Sequence, residues 1–246
     1  GTAVSILQSP QNAVSATYSD ETYDESEDIK SILDTHVSRW HAVGVDAPDL
    51  FSVLQEMIAV HHEPVATATW LSHYLLSKFV FKSGFQSVFG GLGGDELNAG
   101  EYEYFTYHFA DLEANGKYDQ LENEVNKWIE YHDHPIFRKT ARSASTAVSL
   151  LVDSDSPGRF DADRGRISRY DSVIDPEYFD SVSFQPIMEY PFQSYLKNRT
   201  YQDQFRETAP PCLRALDRQN SSFNLDNFQP FFDHRLSEFM YRIPGD

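Results

Sequence analysis

The chain has 246 residues, 40% apolar and 14% aromatic, enough to bury a core as one large domain or two small ones and too apolar for a disordered chain. Its formal net charge of −18, from 38 Asp and Glu against 20 Lys and Arg, argues against nucleic-acid partners and against anionic membranes, because the long-range field repels polyanions. One cysteine, Cys212, excludes an internal disulfide and a cysteine-rich zinc site, and neither a transmembrane run nor a secretory leader is evident, so a cytoplasmic protein is expected.

In chain order, residues 2–9 read as the end of an apolar helix. Residues 13–18 (AVSATY) read as a buried strand of small and β-branched residues. An acidic helix follows to about residue 35, its first turn carrying Asp24, Glu25 and Glu27, which suits a positive helix N-terminus. Residues 36–45 form a second strand with Trp40 and Val43, and 46–50 cap a helix over 51–60. Residues 67–83 predict a long amphipathic helix with Trp70, Leu71, Tyr74, Leu75 and Phe79 on its apolar face. A short strand, 85–89, runs directly into the glycine-rich stretch 90–94. The second half predicts helices at 103–109, 118–131, 135–152, 186–203, 211–218 and 233–242, the last with Leu236, Phe239 and Met240 inward, and a polar loop of mixed charge at 153–171. Strands alternating with helices indicate a parallel α/β sheet, with a ligand at the carboxyl ends of the strands.

The loop GGLGGDE sits between a strand and a predicted helix. Glycines let backbone N–H groups approach an anion closely, and a helix N-terminus adds a favourable dipole. A phosphate there would be repelled by Asp95 and Glu96 unless a divalent cation intervened, which makes Asp95 a candidate magnesium ligand. The competing reading is a tight strand-to-helix turn capped by Asp95. His61 and His62 are adjacent, do not face one site on a helix, and are not read as a zinc pair; 132–134 (HDH) reads as an exposed turn.

Residues 89–105, FGGLGGDELNAGEYEYF, resemble the second signature of the asparagine synthetase family, S-G-x-G-[SG]-D-E-[LV]-F-x-G-Y. Three further segments follow the family's order: YSDETYDESE (18–27), HEPVAT (62–67), and the LRALDRQNSS, PFFDHRLSEF and IP elements of 213–244. The resemblance implies one domain over 1–246: α/β, with a parallel sheet of the adenine-nucleotide alpha-hydrolase-like (HUP) type in a nucleotide-binding part, 1–100, and a mostly helical C-terminal half, 101–246. It implies an ATP-dependent ligase or amidotransferase. Such an enzyme activates a carboxylate as an acyl-adenylate, with Mg2+ on the phosphates, for attack by an amine or by ammonia from a glutaminase domain or subunit. Carried over by position, Gly91, Gly93, Gly94 and Asp95 would hold pyrophosphate and metal, and Val14, Ser15 and Ala16 would lie near the adenine.

Three departures qualify the resemblance. The family's S-G-G-[LV]-D-S pyrophosphate loop does not occur in the chain, which begins at Gly1 as if cut just after it. Leu92 stands where asparagine-forming members carry an acid, and leucine can neither accept a proton nor orient an amine. Glu101 is the candidate carboxylate to compensate, while Glu96 is expected to brace the helix. The family's lysine-bearing segment after the PFLD block is also missing, so the chain is expected to be the middle of a longer synthetase domain. A degenerate, non-catalytic partner subunit is the alternative. Cys212 is internal and is read as a small buried hydrophobe.

Overall fold

The computed structural model describes residues 2–9, 11–22, 24–33, 37–46, 49–65, 67, 69–131, 139–152, 175 and 189–244. The readings made for 132–134, for 153–171 and for the helix starts at 135 and 186 lie outside the described residues. The chain divides into two compact units, Gly1–Gly90 with Pro211–Pro230, and Gly91–Pro210 with Phe231–Asp246.

The first unit begins with α1 (Thr2–Leu7) and a βαβ unit: β1 (Gln11–Thr17), α2 (Ser26–Leu33) and β2 (Val37–Gly44). The two strands are parallel, with Val14 opposite His41 and Ser15 opposite Ala42. Parallel pairing needs a crossover, and α2 supplies it. Side chains alternate between the faces. On one face the Trp40 indole donates to Ser15 Oγ at 2.7 Å, and Lys30 of α2 lies 6.0 Å from the Trp40 ring centroid. On the other, the His41 ring packs against Phe79 and Phe85 at 5.5 and 6.2 Å between centroids.

Helix α3 (Leu50–His61) starts where the Asp49 side chain accepts the Ser52 N–H, and ends at His62 in the left-handed region. Helix α4 (Thr69–Lys82) buries Trp70, Tyr74, Ser77 and Val80, at helical spacing. Of the predicted apolar stripe only Trp70 and Tyr74 are fully buried; Leu71, Leu75 and Phe79 are half-buried. Ser77 and Asn220 share a buried hydrogen bond of 3.2 Å, so the face that packs against the later helix is partly polar. Strand β3 (Ser87–Phe89) pairs in parallel with β4 (Asp226–Phe228), Val88 opposite Asn227. Among the described residues the strands thus form two separate parallel pairs rather than one sheet. Strand β4 was not foreseen, because Asp-Asn-Phe has little strand propensity and only three residues pair.

The second unit is helical: α5 (Gly94–Asn98), α6 (Tyr104–Ala114), α7 (Tyr118–Tyr131), α8 (Ala141–Leu151), α9 (Tyr195–Gln202), a π-helical turn Asp203–Glu207, and α11 (His234–Arg242). Helix α10 (Ala209–Ser222) carries the chain back into the first unit. The core joins Phe109, Ala110, Val125, Trp128, Ala144, Val148 and Tyr195. Thr140 and Ser143 form a reciprocal capping box at the start of α8. Residues 189–194 are not helical, and α9 starts at Tyr195, where Asp111 of α6 accepts its first N–H groups, from Tyr195 at 2.6 Å and Leu196 at 3.2 Å. In α11, which Asp233 caps, Phe239 is 59% exposed instead of inward, and Ser237 is the buried residue. No helix among the described residues is long and apolar enough to cross a membrane.

Candidate functional site

The glycine loop follows β3. Gly90 N–H donates to Phe228 O at 2.9 Å, and Gly94 N–H donates to Gly91 O at 3.0 Å, closing a turn before α5. Gly93 is the N-cap of α5 at φ +88°, and a β-carbon there would lie 2.8 Å from the Phe232 ring. Its glycine is therefore required by the fold. Gly91 differs: it is exposed, and a β-carbon added to it would meet nothing within 4 Å. That open backbone is the part of the loop able to receive a ligand. Gly94 is the first residue of α5, in ordinary contact with Phe231, its β-carbon position 3.4 Å from that ring. Helix α5 has only 5 residues, so its dipole is small and the loop's N–H groups would dominate any anion contact.

Asp95 is exposed on the first turn of α5. Its carboxylate packs against Gly100, where any side chain would collide with it, and Gly100 N–H donates to Asp95 O at 2.9 Å. Glu96 is buried at 5% exposure. Burial, and then the charges of Asp95 and Asp203, push its carboxyl above the ordinary range. Glu101 is exposed at the surface, yet partial desolvation and the charges of Asp95, Glu103, Glu96 and Asp203 raise it too. Asp95, Glu96, Glu101 and Asp203 therefore form one acidic neighbourhood in the second unit. Glu101 is closest in character to a proton-transfer group, being both accessible and shifted upward.

Among the described residues, no group of three or more His, Cys, Asp or Glu side chains is arranged to hold a metal ion by itself. A magnesium ion carried in with phosphates needs only one or two protein carboxylates, and the accessible Asp95 beside the open Gly91 fits that demand.

The other candidates lie in the first unit. Val14 and Ala16 point to the same face of β1, and Ser15 points to the other, where its hydroxyl oxygen accepts the Trp40 indole. Only the backbone of these three residues could present one continuous edge to a ligand. Leu92 is half-buried, consistent with apolar lining. Cys212 is half-buried on α10 rather than fully buried. His61 is buried, its Nε2 3.0 Å from the Gln219 amide nitrogen, which also donates to Trp70 O at 3.0 Å. It is a packing histidine.

Sequence reasoning missed the buried cluster around Arg199. Arg199 pairs with Asp203 and with Glu207 at 2.7 Å, and Asp203 also accepts the hydroxyls of Tyr104 at 3.0 Å and Thr208 at 2.7 Å. The signal available was an Arg and an Asp four residues apart, an i,i+4 pair within a polar stretch.

The asparagine synthase family model matches residues 1–246. No curated protein and no solved structure gives a match. With the full length of the chain matched, the chain belongs to the asparagine synthase family.

Proposed function

We propose that this chain is the synthetase part of an ATP-dependent amide-bond-forming ligase. It would activate a small-molecule carboxylate as an acyl-adenylate for attack by an amine or by ammonia, with a glutaminase domain or subunit as one source of the ammonia. Family membership over the whole chain supports an ATP-dependent ligase. The observation that carries the reading to this site is the loop itself, with Gly91 open beside an accessible Asp95. In this reading Gly91, Gly93, Gly94 and Asp95 meet the pyrophosphate. The two parallel strand pairs of the first unit are parts of a HUP-type sheet.

Magnesium, held by Asp95 and the phosphates, would neutralise charge as pyrophosphate leaves. The chain's own residues supply the rest. Gly93, fixed by its φ and by Phe232, holds the loop's shape before ligand arrives, which preorganises its dipoles. Glu101 accepts a proton from the incoming nitrogen, its raised pKa bringing it nearer to neutral pH. The acidic surface favours small substrates over polyanions, and the cell compartment proposed is the cytoplasm.

A second reading rests on Leu92. An apolar residue at that position of the loop suits a family member that keeps the fold as a binding or partner subunit without turnover. Incubation of the full-length protein with ATP, magnesium and a panel of carboxylates separates the two. Pyrophosphate release dependent on one acid supports the ligase; no release together with no ATP binding in calorimetry supports the partner subunit.

A further inference from the structure

Within the second unit lies a cavity of about 320 Å³ between the C-terminal end of α5, the first turn of α9 and the last turn of α11. Its apolar wall is Leu97, Leu196, Met240 and Ile243, with the Tyr241 ring beside them. Among the described residues its one charged lining residue is Lys197. No described Asp or Glu lines it, in a chain that carries 38 of them against 20 Lys and Arg.

The polar groups around the cavity are otherwise committed. The Thr200 hydroxyl donates to Lys197 O at 3.2 Å, the Asn98 amide donates to Gly94 O at 2.8 Å, and the Tyr241 hydroxyl donates to Gln204 Oε1 at 2.9 Å. The Lys197 ammonium donates to Tyr241 O at 3.2 Å and lies 5.8 Å from the Phe192 ring centroid. An ammonium has three donors, and a carbonyl plus a ring face leave it without a countercharge. Among the described residues, Lys197 has no carboxylate partner within the 4.0 Å of an ion pair.

We propose that this cavity is a second binding site, for a small aliphatic monocarboxylate, its carboxylate on Lys197 and its hydrocarbon tail among Leu97, Leu196, Met240 and Ile243. Apolar walls with one convergent charged group are what a small-molecule site requires, and the volume lies at the small end of ligand sites. The sign of the charge chooses an acid over an amine. Burial of the tail supplies affinity, and the ammonium supplies orientation. The site is at the opposite end of α5 from the glycine loop, and it stands whether or not the chain is a ligase.

The test uses the full-length protein and three probes of one tail length: hexanoate, hexanamide and hexylamine. Binding is followed by calorimetry and by NMR of 13C-methyl methionine, in which Met240 is one of 3 methionines. Hexanoate is expected to bind saturably and to shift the Met240 methyl, with the amide and the amine at least about tenfold weaker. Lys197→Met should weaken hexanoate by about the same factor, with Lys197→Arg retaining most of the affinity. Since Lys197 also donates to the end of α11, the ranking of the three probes on the unaltered protein decides the matter if Lys197→Met misfolds. Equal or tighter binding of hexylamine, no hexanoate binding, or binding that leaves the Met240 methyl unmoved overturns the proposal.

Discussion

Arg199 and Asp203, one turn apart and both buried, form a bidentate ion pair: Arg199 Nε donates to Asp203 Oδ2 at 2.7 Å and Nη2 donates to Oδ1. Tyr104 and Thr208 donate to the same carboxylate, so this pair ties α6 to α9 and to the π-helical turn. Removing one partner of a buried pair leaves an uncompensated charge, whereas replacing both with apolar residues of similar volume is often near neutral. Asp203→Ala leaves Arg199 with Glu207 alone of these two carboxylates and the Tyr104 and Thr208 hydroxyls without this acceptor, and is expected to cost about 3 kcal/mol in urea unfolding. Arg199→Met with Asp203→Leu should cost much less than the sum of the two single changes. Additive losses in that double-mutant cycle would show that the pair is not coupled.

The two loop glycines make opposite predictions. Gly93→Ala places a β-carbon against Phe232 at a φ that disfavours it, and should cost about 1–3 kcal/mol. Gly91→Ala meets no protein atom, so the melting temperature should stay put while ATP-dependent turnover falls. Thermal unfolding alongside pyrophosphate release reads both. Loss of stability in Gly91→Ala would mean the open backbone is structural.

Glu96 gives a pH dependence with a definite sign. Burial, with Asp95 and Asp203, raises its folded pKa above the ordinary 4.5, so the folded state holds this proton more tightly than the unfolded chain. Its contribution to stability is complete below the unfolded value and is lost as pH rises through the folded one. Glu96→Gln should then match the parent near about pH 4 and exceed it at about pH 8. Denaturation midpoints across that range check it; a variant less stable at the higher pH would show that ionised Glu96 has a stabilising partner.

Asp95→Asn should weaken magnesium-dependent nucleotide binding, with little change in stability, because the side chain is exposed. Calorimetry with and without magnesium reads the effect. Identical magnesium dependence in the variant removes Asp95 from the metal role.

Helices and strands with strong local patterns were legible in the sequence. The small and β-branched run of β1 and the whole of α7, Tyr118–Tyr131, fall where periodicity placed them. Features made by partners distant in sequence were not. The Asp111 cap of α9 joins residues 84 apart, and no local rule marks Asp111 as a helix cap. Strand β4 exists because Gln86 O and Gly90 N–H pair with it at either end, at 2.9 Å each, and its own residues do not announce it. In the loop, the run of glycines and Asp95 was plain, but not the division of labour between them. That Gly93 answers to Phe232 and Gly91 to open space depends on a ring 139 residues further along, which no local pattern marks.

We propose that this fold activates a carboxylate at the loop running from Gly91 to Asp95. The most direct test is pyrophosphate release from ATP and magnesium by the full-length protein across a broad panel of carboxylates, with Gly91→Ala run in parallel. Acid-dependent release that falls in a stably folded Gly91→Ala is expected. No release with any acid, or release undiminished in that variant, would contradict it.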